Sequence, residues 1–146
     1  MSCHSSSIGR WVSVLYRYSQ CYFDKKLEPF NLGSGQFIFL VVLFEKDKVS
    51  QEFLTNLLDI DKATTARAIR KLEENGYVKR SIDPKDKRAR IVSITEKAFA
   101  LKPQLKQISE QWTDILTKGF NREERELVLK LLEQMAENAA STVTEV

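Results

Sequence analysis

The stretch that most restricts how this chain can fold runs from Asp59 to Thr95, DIDKATTARAIRKLEENGYVKRSIDPKDKRARIVSIT. It begins as a helical pattern, with Thr65, Ala68, Ile69 and Leu72 recurring at three- and four-residue spacing. The pattern stops at Gly76. A residue without Cβ enters the left-handed conformation that closes a helix at little cost. Beyond it, Tyr77 to Ile82 and Ile91 to Ile94 read as strands, and Asp83-Pro84-Lys85-Asp86-Lys87-Arg88 reads as a turn from its Asp-Pro start. The local order is therefore helix, strand, charged loop, strand. Charge respects the same boundaries. Between Lys62 and Arg90 there are ten Lys or Arg against four Asp or Glu, a local +6 in a chain whose net charge is +3. Concentrated positive charge of this kind is the electrostatic footprint of a nucleic-acid-binding surface.

Three helices are predicted ahead of this segment. From Ile8 to about Leu27, the residues Ile8, Trp11, Val12, Leu15, Tyr18, Tyr22 and Phe23 recur at helical spacing, and Pro29 lies beyond the end. Ser34 is expected to cap a second helix from Gly35 to about Phe44. Its eight-residue apolar run, Phe37 to Phe44, implies burial on all sides. Composition also allows a buried strand there; the cap and the position before a helix pair favour the helix. Ser50 caps a third helix to Leu58, Asp59-Ile60-Asp61 forms a turn with Ile60 inward, and Asp61 caps the fourth helix, which reaches Asn75. After the strands, Thr95 starts a fifth helix to about Gly119, with a kink expected at Pro103. Asn121 and Glu124 form a capping box for a sixth helix with a broad apolar face, and the final STVTEV is expected to fray.

Several functions are excluded or disfavoured. The longest apolar run falls far short of the ~20 residues that span a bilayer, and no basic stretch followed by an apolar run marks a secretory leader; a soluble cytoplasmic protein is expected. With two cysteines (Cys3 and Cys21) and one histidine (His4), neither a disulfide framework nor a zinc site is indicated. No arrangement of nucleophile, base and orienting group suggests catalysis. The expectation is a protein that is not an enzyme and has no metal or cofactor.

The third and fourth helices with their short turn form a helix-turn-helix, whose second helix normally enters the major groove of DNA. Once Thr65, Ala68, Ile69 and Leu72 face the core, the outer face is Lys62, Ala63, Thr64, Ala66, Arg67, Arg70 and Lys71. Arg67 and Arg70 project on one side and can each donate two hydrogen bonds to a guanine edge. Ala63 and Ala66 let the backbone approach, and Thr64 suits a phosphate or a thymine methyl. In the charged loop, Arg88 suits the negative minor groove, and Asp86 can pair with Arg88 and aim it.

LEENGYVKR followed by DPKDKRARIVSIT resembles the MarR family of winged-helix transcription regulators. The matching residues are Leu72, Glu73, Gly76, Arg80, Asp83, Asp86, Arg88 and Thr95. Ile94 stands where Leu is usual, Ala89-Arg90 makes the loop more basic than the motif requires, and a usual Gly is replaced around Ala98-Phe99. The resemblance implies a mainly α fold with a small β-wing: a winged helix-turn-helix over 35–100, flanked by an N-terminal dimerisation helix over 1–34 and C-terminal dimerisation helices over 101–146. It implies a homodimeric regulator on double-stranded DNA with a pseudo-palindromic operator, a repressor released by a small aromatic anion. Arg17, with Tyr16, Trp11 and Phe37 around it, is the candidate site for that ligand. Other members sense oxidants through a cysteine on the first helix; Cys21 lies there, but its neighbours Tyr22 and Phe23 favour a buried, inert thiol. Two alternatives stay open: a redox-sensing regulator acting through Cys21, and a winged-helix module that binds protein.

Overall fold

Hydrophobic spacing translates into six α-helices and three short strands over residues 7–143, the part of the chain that the computed structural model describes; Cys3 and His4 lie outside it. In order they are α1 (Ile8–Leu27), a 3-10 turn (Glu28–Phe30), α2 (Ser34–Glu45), β1 (Val49–Ser50), α3 (Gln51–Leu58), α4 (Lys62–Glu74), β2 (Val78–Asp83), β3 (Asp86–Ile94), α5 (Glu96–Leu116) and α6 (Arg122–Val143). The architecture is mainly helical with a three-stranded antiparallel wing, in the order β1-β3-β2.

The chain divides into two compact units, one ending at Ser109 and the other beginning at Glu110. The first holds the core. Helix α2 runs through it, with Phe37, Phe39, Leu40, Val42 and Leu43 all buried, which is why its sequence is apolar nearly all round. Leu54 from α3, Ile69 and Leu72 from α4, Tyr77, Val78 and Val92 around the sheet, and Leu105 from α5 complete it. Phe23 stacks on Phe37 with ring centroids 5.4 Å apart and holds α1 against α2. In the second unit, Asn121 and Glu124 cap α6 reciprocally: the Asn121 N–H donates to Glu124 Oε1 (3.0 Å) and the Glu124 N–H to Asn121 Oδ1 (2.8 Å). None of the residues of α6 is buried.

The secondary structure differs from the sequence-based expectations at four places. Val49 and Ser50 pair with Val92 and Ile91 as β1, a dipeptide too short to show a period. The cap of α2 is Gly33, whose N–H donates to Gln36 Oε1 at 2.8 Å; Ser34 is already helical and its N–H donates to Asp24 Oδ1 at 2.7 Å. Strand β3 starts at Asp86, so the turn is only Pro84-Lys85 and the charged residues after it belong to a strand. Helix α5 carries Pro103 inside it, as the spacing predicts, and ends at Leu116. Helix α6 extends to Val143, into the segment expected to fray, and the Ser141 and Thr142 hydroxyls donate back to the Glu137 and Asn138 carbonyls (3.0 Å each).

Gly76, at φ +78°, ends α4. The Gly76 N–H donates to the Glu73 carbonyl (3.0 Å) and the Tyr77 N–H to the Leu72 carbonyl (2.9 Å), so the last turn is satisfied as the chain reverses into β2. Among the described residues no single helix is long and apolar enough to cross a membrane, and no group of three or more His, Cys, Asp or Glu is placed to hold a metal ion.

Candidate nucleic-acid interface

Two caps and one left-handed residue set the angle between α3 and α4. Ser50 Oγ accepts from the Phe53 N–H (3.0 Å) and Asp61 Oδ1 from the Thr64 N–H (2.8 Å), each meeting an orphan donor of a first turn. Between the helices Asp59 adopts φ 52°, and Ile60 packs against the core. Helix α4 then buries Thr65, Ala68, Ile69 and Leu72, the four residues that the spacing assigns inward. What remains outward is Lys62, Ala63, Arg67, Arg70 and Lys71, all exposed, with Thr64 and Ala66 half-buried.

The start of this face is internally braced. Arg67 Nη2 donates to Thr64 Oγ1 (3.1 Å), and the same hydroxyl donates to Asp61 Oδ2 (2.7 Å). The Thr64 backbone N–H, with its hydroxyl second, holds the Asp61 carboxyl below the usual carboxylate range, so it stays an acceptor throughout the neutral region. The relay steers Arg67 along the helix toward its N-terminus, the end that normally meets base edges.

The wing is a bulged hairpin. Ile82 pairs with Arg90, but Asp83 pairs with Asp86, so Lys87, Arg88 and Ala89 have no partner on β2. Asp83 Oδ1 accepts from the Lys85 N–H (2.9 Å), which tightens the turn. Asp86 Oδ1 accepts from the backbone N–H of Arg88 (3.0 Å). The acid therefore fixes the backbone from which Arg88 projects, in place of the expected contact with its guanidinium. Arg88 and Lys87 are exposed.

The wing is fastened to α4 by a fork. Arg80 donates through Nε to Glu73 Oε2 (3.2 Å) and through Nη2 to Glu73 Oε1 (2.9 Å). That bond lowers the Glu73 carboxyl and raises the Arg80 guanidinium. In the sequence both residues are legible only as parts of a motif; their contact across Gly76 is a product of the fold. Further along, Thr95 Oγ1 donates to the Gly76 carbonyl (2.6 Å) and Lys97 Nζ to the Asn75 carbonyl (2.6 Å). Asn75 Nδ2 donates to the Asn31 carbonyl (3.1 Å), and the Tyr77 hydroxyl to the Phe30 carbonyl. Burial pushes the Tyr77 phenol up, consistent with a neutral donor there.

Within the first unit a crevice of about 590 Å³ lies between α1, α2 and the start of α4; Tyr16, Gln20, Phe23, Phe37, Ile38, Ile60 and Thr64 are among its lining residues. A second cavity, of about 340 Å³, is lined by Phe37, Val41, Phe44, Lys102 and Lys106 among others. Of the candidate ligand residues, Tyr16 and Phe37 line the crevice and Trp11 and Arg17 do not; Arg17 Nη1 donates to Ser13 Oγ (2.6 Å). The expectation for Cys21 is corrected: its thiol is exposed, because it falls off the inward stripe through Phe23 and Leu27. Arg90, which sequence reasoning leaves out of the interface, shares a cleft with Lys62 and Arg88; its only signal in the sequence is the basic run Lys87-Arg88-Ala89-Arg90.

Much apolar surface remains uncovered. On α1, Ile8, Trp11, Val12, Leu15, Tyr16 and Tyr18 are 43% to 65% exposed, and on α6, Leu127, Leu129, Leu131 and Leu132 are 48% to 57% exposed. Stripes of this size exceed the scattered apolar residues usual on a monomer surface.

The MarR family model matches residues 32–89 of the chain. The HTH-type transcriptional regulator BilQ of Clostridioides difficile (strain CD3) is 30% identical over 126 residues, covering 86% of this chain and 85% of its own. A MarR transcriptional regulator from Methanosarcina mazei Go1 is similar in structure with a TM-score of 0.90 at 47% identity, over 92% of this chain and 97% of its own. A MarR family transcriptional regulator from Listeria monocytogenes, solved in complex with 26mer DNA, gives a TM-score of 0.87 at 31% identity, over 94% of this chain and 91% of its own.

Proposed function

This chain belongs to the MarR family of DNA-binding transcriptional regulators, and from that premise we propose that it is a cytoplasmic homodimeric repressor that occupies a pseudo-palindromic operator until a small aromatic anion releases it. The observation that carries the reading is the cationic outer face of α4 running on to a bulged wing with Arg88 exposed. In this reading Arg67 and Arg70 meet base edges in the major groove, Ala63 and Ala66 allow close approach, and Lys62, Thr64 and Lys71 meet phosphates. Arg88 enters the minor groove, with Asp86 setting its backbone. That the Listeria relative was solved with a 26mer duplex supports DNA as the partner.

A single helix-turn-helix reads few base pairs, and a dimer reads two half-sites about one helical turn apart. The uncovered faces of α1 and α6 support pairing through the terminal segments, 1–34 and 101–146, leaving 35–100 to read DNA. The crevice beside Tyr16 and Phe37 suits an aromatic ring, and Arg17, next to Tyr16 on α1, is the proposed carboxylate partner once it gives up Ser13, with Trp11 on the same helix. A second reading is favoured by one observation, the exposed thiol of Cys21, which makes oxidation an alternative trigger.

The test is fluorescence anisotropy with duplexes from the chain's own upstream DNA, alongside sedimentation. The expected result is a dimer that binds one such duplex more tightly than random DNA, weakens on Arg88→Ala without loss of melting temperature, and is released by an aromatic acid. A monomer, or equal affinity for all duplexes, overturns it. Release by peroxide that Cys21→Ser abolishes selects the second reading.

A further inference from the structure

We propose that the cleft between α3, the start of α4 and β3 is a seat for one backbone phosphate of DNA, with Arg90 as its principal contact. The proposal rests on the reading above and extends it to residues that neither the recognition face nor the wing tip includes. If α4 lies in a major groove and the wing in the adjacent minor groove, one sugar-phosphate strand separates the two. That strand has to cross the surface between the N-terminus of α4 and the bulge of β3. A cleft of about 220 Å³ opens at that place, lined by Gln51, Glu52, Thr55, Lys62, Arg88, Ala89 and Arg90.

Its chemistry suits a phosphate. Lys62 begins α4, whereas Arg88 and Arg90 lie on β3, so cations distant in sequence converge on one concavity against a single acid, Glu52. Thr55 and Gln51 are one helical turn apart on α3 and add a hydroxyl and an amide as neutral donors. Arg90 Nη1 donates to the carbonyls of Lys87 (3.3 Å) and Ala89 (3.4 Å), which holds the guanidinium against the bulge. Its Nε and Nη2 make no hydrogen bond among the described residues. A planar fork held at one end, with donors to spare, is suited to an oxyanion. The bulge has two roles in this arrangement: it turns Arg88 outward and anchors Arg90.

The experiment is the salt dependence of binding to a fluorescein-labelled random-sequence duplex of about 30 base pairs, from about 50 to about 200 mM KCl. Each phosphate contact contributes about 0.9 to the slope of log K against log salt. Arg90→Ala is expected to reduce the slope by about 0.9 per protomer, so that the affinity lost over this range shrinks about 3.5-fold per protomer. Arg90→Lys, which keeps a point charge, restores the slope. Glu52→Gln removes the only acid in the cleft and tightens binding, a change that a folding defect cannot mimic. An unchanged slope in Arg90→Ala, or no tightening in Glu52→Gln, overturns the seat. If Arg88→Ala still weakens binding in that case, the DNA-binding reading stands and only the seat falls. If the wild-type protein binds no duplex, both fall.

Discussion

Thr65→Val should stabilise the protein, and the reason lies in one atom. Thr65 sits on the inward face of α4 and is fully buried, yet its Oγ1 has no hydrogen-bond partner among the described residues. A buried hydroxyl with its hydrogen bond unmade costs about 1–3 kcal/mol. Valine has nearly the same shape and nearly the same helix propensity, so the exchange removes the polar atom without opening a cavity. The net gain is therefore about 1–3 kcal/mol. For a chain of this length a kcal/mol corresponds to roughly 3 °C, so the melting temperature should rise by about 3–9 °C. The comparison is made at equal protein concentration, because association shifts apparent stability. Thr65→Ala is the companion variant: it also removes the methyl, leaves a void against the core, and should lower the melting temperature. DNA affinity should stay the same in Thr65→Val, since the side chain faces away from the outer surface of α4. A fall of the melting temperature by several degrees in Thr65→Val would refute the reasoning, because the hydroxyl would then have a partner, such as an enclosed water.

Arg67→Ala should relax base preference at one position of each half-site, by about 1–3 kcal/mol against the preferred base; equal weakening across all sequences in a binding-site selection assay would assign it to phosphate instead. Acid should destabilise the link between wing and helix. The folded-state pKa of Glu73 lies below its ordinary 4.5, so the stabilisation is fully present above about that pH and is lost as pH falls through the folded value. In thermal melts between pH 3 and pH 7, Glu73→Gln should therefore give a shallower acid limb than the wild type, and coincident curves would contradict the pairing with Arg80.

The sequence announces this fold where a physical period is strong and local. The inward quartet of α4, the end at Gly76 and the capping box of α6 each involve residues within seven positions of one another, and each is found as read. What escapes the sequence depends on meetings at long range. Strand β1 exists only because Val49 and Ser50 reach β3 about forty residues later. Asp83 to Arg88 reads as one charged loop, but pairing of Asp83 with Asp86 across a two-residue turn converts much of that loop into strand and moves the irregularity into a bulge. Cys21 shows a further limit: aromatic neighbours in the sequence say little about burial on a helix, where the next residue points about 100° away. The candidate site divides the same way. The outer face of α4 follows from subtraction of its core face, whereas the convergence of Lys62 with Arg90 depends on tertiary structure.

Thr64 connects the two halves of the proposed mechanism. Its hydroxyl accepts from Arg67 and donates to Asp61, and the same residue lines the crevice proposed for the aromatic anion. A ligand there can bias DNA binding only to the extent that it favours one arrangement of the reading face over another. Contact with Thr64 offers such a difference: an occupant that turns the hydroxyl releases Arg67 from its brace. Thr64→Val tests this with little disturbance to the helix, because Asp61 Oδ1 keeps its bond to the backbone N–H of residue 64. The substitution removes both hydrogen bonds of the hydroxyl, and the one that holds Arg67 bears on base reading. At about 0.5–1.5 kcal/mol its loss should lower operator affinity by about 2- to 12-fold. The loss of the proposed phosphate contact adds to that equally with and without ligand. The ligand should then find less to undo, and the ratio of operator affinities without and with ligand should shrink toward one. By linkage, the ligand's own affinity should become equally indifferent to DNA. Titrations of ligand and of DNA, each in the presence and absence of the other, measure both sides of that balance. An unchanged ratio in Thr64→Val would show that release works by displacing the whole reading lobe, with Arg67 carried along as a passenger.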